Sequence, residues 1–202
     1  AETLGERPHV FLPKQFSSEW NTQTHELFTG SETLKQLEEL SLKPDAVVAG
    51  VGTGGTIMGL GRSFRNVNAQ CKVYPLEPSN SPTLSTGYKV GQHRIYGISD
   101  EFIPEIVKMD QLDEVISVSD GDAINMARLL SRRLGIGVGV SSGANFLGGV
   151  IAQNRLGSKT TVVTVFADDN KKYLSTDYSQ SQAIQEGDLT PEIELLDVVA
   201  RR

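Results

Sequence analysis

Five consecutive residues, Gly52-Thr53-Gly54-Gly55-Thr56, carry almost no side chain beyond two hydroxyls, which is the composition of an anion cradle. With no Cβ atoms in the way, the backbone N–H groups of such a turn can converge on one point. Thr53 and Thr56 can add hydroxyl donors. The apolar run Ala46 to Val51 precedes the turn and reads as a buried strand. Ile57, Met58, Leu60, Phe64 and Val67 follow it at helical spacing. Strand, glycine turn and helix, in that order, put the free N–H groups and the positive dipole end of the helix behind the cradle. The natural guest is a phosphate, and a side chain at Gly54 is expected to intrude on its space.

Other readings of the turn stay open. It is not the P-loop pattern, which ends in Gly-Lys-Ser/Thr. Gly50, Gly52 and Gly55 have the spacing of a dinucleotide fingerprint, so a dinucleotide-binding module is a rival. That reading needs an acidic residue about 20 positions on, and Glu77 lies somewhat further. A tight strand-to-helix turn with no ligand also favours glycine. A second candidate is Ser141, beside Ser142, between an expected short strand Ile136–Val140 and an expected helix from Asn145 to Arg155. A serine there either caps the helix or presents its hydroxyl into a crevice beyond a strand end. Gln15, just past an expected strand His9–Leu12, is placed to offer an amide to a ligand. His93, alone in a loop, reads as structural, and Trp20 and His25 as packing or capping locally.

These candidates need scaffolding, and the chain supplies alternating elements. Ser31–Leu40 reads as a helix, Lys72–Leu76 as a strand with Pro75 near an edge or strand end, and Glu114–Val118 as another strand. Ser119 to Asp122 opens a helix with Ala123, Met126, Ala127, Leu130 and Leu134 on one face and Gly135 as its C-cap. Lys159–Phe166 reads as the last strand. Residues 17–24, 83–104 and 168–176 read as polar or irregular stretches, and the tail, 177–202, as peripheral with a helix-like run near Ile193–Val199. Strands alternating with helices predict an α/β class: a mainly parallel sheet in three layers, with helices on both faces.

The chain has 202 residues, 38% of them hydrophobic, a formal charge of −6 and one cysteine. That is enough for one domain or a little more. The absence of a basic run argues against nucleic acid, and no apolar run is long enough to cross a bilayer. Cys71 can form no internal disulfide and reads as a core filler, which fits a reducing, cytoplasmic setting.

Several stretches, in order, resemble cysteine synthase (O-acetylserine sulfhydrylase): Leu12-Pro-Lys-Gln-Phe16, His25, Thr29-Gly30, Val51-Gly-Thr-Gly-Gly-Thr-Ile57, Glu77-Pro with Ser81-Pro, Gly97-Ile with Phe102-Ile-Pro104, Val140-Ser-Ser-Gly-Ala144 and Lys172-Tyr-Leu-Ser-Thr176. The resemblance covers roughly Val10 to Thr176. It implies a pyridoxal 5'-phosphate enzyme of fold type II (tryptophan-synthase-β-like) that performs β-replacement. Position by position, it implies that Gly52, Thr53, Gly54, Gly55 and Thr56 hold the cofactor phosphate. Ser141 would bond the pyridine nitrogen, Gly97 would lie in the loop over the cofactor, and Gln15 would contact the substrate carboxylate. It also implies an O-acetylserine-type substrate, a homodimer, and serine acetyltransferase as a partner. The family's Schiff-base lysine and asparagine loop are expected upstream of Ala1, so the chain reads as an incomplete fold: the C-terminal portion, residues 1–202, of a larger enzyme and inactive alone. A cystathionine β-synthase-like enzyme and a non-catalytic α/β module are the further alternatives.

Overall fold

The computed structural model describes residues 2–5 and 7–200. A short helix α1 (Glu2–Gly5) and an irregular stretch lead to α2 (Glu19–Thr24), which runs through a π-helical turn (His25–Gly30) into α3 (Ser31–Glu39). Then follow β1 (Ala46–Gly50), α4 (Gly55–Val67), β2 (Lys72–Pro78), α5 (Thr83–Thr86), β3 (Ile116–Val118), α6 (Asp120–Leu134), α7 (Val140–Leu156) and β4 (Val162–Thr164). The four strands form one parallel sheet in the order β3-β2-β1-β4.

β1 is apolar throughout because both its faces are covered. Its alternate residues split the core. Ala46 and Val48 join Leu76, Ile116, Val118 and the inner faces of α6 and α7. Val47 and Ala49 join Val73, Ile57, Leu60 and Phe64 of α4. The sheet is thus sandwiched between α6–α7 and α4, the three-layer α/β arrangement expected. Pro75 sits in an inner strand, yet β3 pairs with β2 only from Leu76 onward, so at Pro75 the strand has β1 alone as neighbour. α6 starts and stops as its sequence dictates: the Ser119 hydroxyl accepts from the Asp122 N–H, and Gly135 closes the helix at φ 70°.

Several expectations need correction. His9–Leu12 forms no strand: His9 turns the backbone at φ 70°, and Phe11 is exposed. The polar stretch 17–24 is largely helical, and Trp20 is exposed rather than packed. Ile136–Val140 is not a strand; only Val138 makes a single antiparallel bridge, to Asp169. β4 already holds the place beside β1, and Gly137 and Gly139 let this segment press against Asn170 and Asp168 instead. α7 therefore begins at Val140 rather than near Asn145. No helix forms near Ile193–Val199. Of the tail expected to be peripheral, Tyr178 is buried and Leu189, Ile193 and Leu195 pack on the core. The buried Asp122 carboxylate accepts from the Leu189 and Thr190 N–H groups at 2.7 and 3.0 Å. Leu196, Val198 and Val199 are exposed.

α6 and α7 approach closely at Gly143, where a Cβ would lie 2.2 Å from the Ala123 carbonyl oxygen and 2.7 Å from the Ala127 nitrogen. Further along α7, a Cβ on Gly149 would find its nearest neighbour at 3.9 Å. Urea unfolding should therefore separate the two. Gly143→Ala is expected to destabilise by about 1–3 kcal/mol through overpacking. Gly149→Ala is expected to be neutral or to stabilise by up to about 1 kcal/mol through helix propensity.

Candidate functional site

In the order β3-β2-β1-β4, connections run one way from β1 to β2 and β3 and the other way back to β4, so the sheet changes direction between β1 and β4. Open α/β sheets form their binding crevice at that point, beyond the carboxyl ends of the strands. Here it is a cleft of about 740 Å³, lined on one side by Gly50, Gly52, Thr53, Gly54 and Thr56 after β1. Ser141 and Asn145 of α7, Val165, Ala167 and Asp168 after β4, and Tyr96–Ile98 complete it, with Lys172, Tyr173 and Thr176 at the far wall.

The turn after β1 is bare because two features demand it. Gly54, the residue before α4, adopts φ 92°, which favours glycine. A Cβ on Gly52 would lie 2.5 Å from the Gly97 carbonyl oxygen. The Gly97 loop is further clipped down by the Ser99 N–H donating to the Val51 carbonyl at 2.8 Å. The N-cap residue Gly54 has no side chain to cap α4. Thr53 Oγ1 accepts from the Gly55 N–H at a long 3.4 Å, and the N–H groups that follow in the first turn are left for a ligand. One expectation is corrected: a side chain at Gly54 would point not into the cleft but at Val107, 2.2 Å from its Cγ2. Its cost would fall on folding.

Ser141 sits in the first turn of α7, one-fourteenth exposed at 7%, and lines the cleft. Gly139 occupies the N-cap position, so the capping role falls away. Ser142 is fully buried and forms no part of the cleft wall. One turn on from Ser141, Asn145 accepts from the Gly50 N–H and donates to the Val165 carbonyl, both at 2.8 Å, joining the ends of β1 and β4 to α7. Its i, i+4 spacing from Ser141 was the available sequence signal for it.

The far wall was read as an irregular polar stretch. Asp168 accepts from the Tyr173 hydroxyl and from the Lys172 ammonium, each at 2.7 Å. Tyr173 stacks on Tyr96 with ring centroids 5.5 Å apart. Hydrogen bonding to Asp168, then to Tyr173, holds the Lys172 ammonium above its usual pKa. Burial, and then the bond to Asp168, raises that of Tyr173.

The structure does not bring every candidate together. Gly55 is buried behind the turn and is not part of the cleft wall. Gln15 lies in a second hollow of about 820 Å³ with Lys14, Phe16, Phe102 and Ile103. Its backbone carbonyl is nevertheless tied to the cradle: Asn21 Nδ2 donates to it and to Thr53 Oγ1, both at 2.9 Å. His25 bonds locally as expected, its Nδ1 3.0 Å from Thr29 Oγ1, and it also meets Thr56, its Nε2 3.3 Å from Thr56 Oγ1. Burial lowers its pKa, which favours the neutral ring. Glu77 is not available to a ribose. Its buried carboxylate accepts from the Leu84 N–H at 2.7 Å and from the Ser85 hydroxyl at 2.5 Å, which removes the acidic partner of the dinucleotide reading. Cys71 is buried, with its thiol pushed up to about 11 by burial, and is no nucleophile. Among the described residues no helix is long and apolar enough to cross a membrane, and no cluster of metal-ligating side chains occurs.

A cleft of this size, with an uncapped helix N-terminus at one end and a free neutral hydroxyl opposite, fits a phosphorylated aromatic ring. A family model described as pyridoxal-phosphate dependent enzyme matches residues 1–168. The chain is 39% identical over 178 residues to a probable cysteine synthase of Bacillus subtilis (strain 168), covering 88% of this chain and 57% of that protein. Among solved structures, a hydrogen sulfide-producing enzyme from Fusobacterium nucleatum superposes with TM-score 0.94 at 52% identity, over 98% of this chain and 59% of the other. An O-acetylserine dependent cystathionine β-synthase from Helicobacter pylori superposes with TM-score 0.77 at 31% identity, over 87% and 56%. The chain thus spans a little over half the length of these relatives. It belongs to the pyridoxal-phosphate dependent enzyme family, and pyridoxal 5'-phosphate is the family's cofactor.

Lys172 is a lysine in the cleft wall, and its raised pKa keeps it protonated, the form that does not attack an aldehyde. Borohydride trapping of the chain mixed with pyridoxal 5'-phosphate should leave Lys172 without a stoichiometric pyridoxyl adduct. Asp168→Asn removes the main cause of the shift and should increase labelling at Lys172 specifically, as read by peptide mass mapping. Stoichiometric labelling of the parent chain there would contradict the assignment.

Proposed function

We propose that this chain is the cofactor-holding part of a cysteine synthase, the whole enzyme converting O-acetylserine and sulfide to cysteine and acetate by β-replacement. One observation carries the reading: Gly52, Thr53, Gly54 and Thr56 of the bare turn, the Gly97 loop and Ser141 line a single cleft at the sheet's switch point. The cysteine synthase names among its relatives support it. Pyridoxal phosphate, when bound, supplies the electron sink that such chemistry requires.

On this reading the backbone N–H groups of the turn and the positive end of α4 hold the phosphate, with Thr53 and Thr56 adding hydroxyls. Ser141 faces the ring nitrogen. A neutral hydroxyl does not force that nitrogen to stay protonated, which suits β-elimination and replacement over chemistry that needs a stronger sink. The Gly97 loop covers the ring, and the Tyr96–Tyr173 stack excludes water from its outer side. Gln15 belongs to the substrate side, reached through Asn21. We assign no residue of this chain as the proton-transferring base: the cleft's Lys172 is held charged by Asp168. On this reading the chain alone would not turn over substrate.

A second reading is favoured by the likeness at 52% identity to a hydrogen sulfide-producing enzyme: the same site would release sulfide from a sulfur-containing amino acid. A cystathionine β-synthase-like activity draws on the Helicobacter pylori neighbour in the same way. On these readings the three reactions would use the same cofactor site and differ in the leaving group, the incoming nucleophile, or both.

Activity of the whole enzyme tests both the class and the serine. Supplied with O-acetylserine and sulfide, it should form cysteine faster than it releases sulfide from cysteine. The reverse order favours the second reading. Ser141→Ala removes one hydrogen bond, worth about 0.5–1.5 kcal/mol, and should lower turnover several-fold to about tenfold. Cofactor affinity should change little. Parental turnover in Ser141→Ala would remove Ser141 from the site.

A further inference from the structure

A phosphate dianion only accepts hydrogen bonds, whereas a threonine hydroxyl can either donate or accept. A cradle with two threonines therefore works best if something forces both to donate. We propose that one helical segment, through Asn21 and His25, commits the hydroxyls of Thr53 and Thr56 to donate toward an oxyanion. The inference deepens the phosphate-site reading above and rests on it.

The donor count supports it. Asn21 Nδ2 carries two hydrogens and has two acceptors, the Gln15 carbonyl and Thr53 Oγ1, each at 2.9 Å. Thr53 is therefore an acceptor toward Asn21, and its own hydrogen is left over. Thr53 lines the cleft, where that hydrogen meets the ligand. The amide is fixed in this orientation because the Gln15 carbonyl only accepts, so turning the amide over would set Oδ1 against another acceptor.

His25 does the same for Thr56. A neutral imidazole has one N–H and one bare nitrogen. Its Nδ1 is 3.0 Å from Thr29 Oγ1 and its Nε2 is 3.3 Å from Thr56 Oγ1. With the hydrogen on Nε2, the ring donates to Thr56, whose own hydrogen stays free for the anion, while Thr29 donates to Nδ1. With the hydrogen on Nδ1, the ring consumes the Thr56 hydrogen and turns oxygen lone pairs toward the anion. An oxyanion in the cradle selects the first tautomer. Asn21 and His25 are four residues apart, on one face of α2 and the π-turn that continues it. Neither touches the ligand; they are positioning residues.

The test uses the whole 202-residue chain with inorganic phosphate as probe. Calorimetry of Asn21→Ala, Thr53→Val and the double variant gives the coupling. Each single change should weaken binding by on the order of tenfold, as expected for a hydrogen bond to a charged group. The double variant should bind no worse than Thr53→Val alone, because Asn21 acts only through Thr53. Nitrogen-15 spectra of the parent chain, which need no substitution, should show His25 with its hydrogen on Nε2 when phosphate is bound. Additive losses, or a hydrogen on Nδ1 in the bound state, would overturn the donor assignment while leaving the phosphate site standing. A parent chain with no affinity for phosphate even in the millimolar range would overturn both.

Discussion

The backbone turn between β1 and α4 is usable only because nothing else fills it. Its glycines let the Gly97 carbonyl and Val107 close over and behind the turn at distances a Cβ would forbid. The result is an N-terminus on α4 whose N-cap residue, Gly54, offers no side-chain cap and whose Gly55 N–H makes a long 3.4 Å contact with Thr53 Oγ1. Uncapped helix ends are costly when buried, so the cost is tolerated where a ligand supplies the acceptor. The parallel sheet brings this end of β1 to its direction change, and so decides which other residues the ligand can meet.

Polar joints hold the cleft walls at that spacing. Asn145 bonds to backbone groups at the ends of both β1 and β4, and its loss would leave each unpaired, at about 1–3 kcal/mol per buried group. The Gly97 loop is held from outside as well. The Arg94 N–H donates to the Asp120 carboxylate at 2.7 Å, and its guanidinium reaches Asp177 and Gln182. Tyr96 adds its stack on Tyr173. The segment after Asp177 is thereby part of the support for the site.

Much of this was legible in the residues. The turn, the buried strand before it and the capped helix after Ser119 rest on local rules: glycine tolerance, apolar runs and a hydroxyl at an N-cap. What escaped depends on partners far along the chain. Ile136–Val140 looks like a strand until β4 takes the only free edge of β1. Residues 17–24 have the polarity of a loop because one face of α2 meets α4 while Trp20 stays exposed. Asp168, Lys172 and Tyr173 looked like a polar connection, since nothing local shows that they return to the cleft. Gln15 was placed by an expected strand that does not form, and its link to the cradle runs through Asn21.

The central claim is that one ligand spans the Gly52–Thr56 turn and Ser141. The most direct measurement is a titration of the nitrogen-15-labelled chain with pyridoxal 5'-phosphate, followed through backbone amides. The account predicts that the amides of Gly52–Thr56 and of Ser141 shift together on one binding curve, and that pyridoxal, which lacks the phosphate, loses the shifts at the turn first. Shifts confined to the hollow around Gln15, or shifts at Ser141 with an unmoved turn, would contradict it.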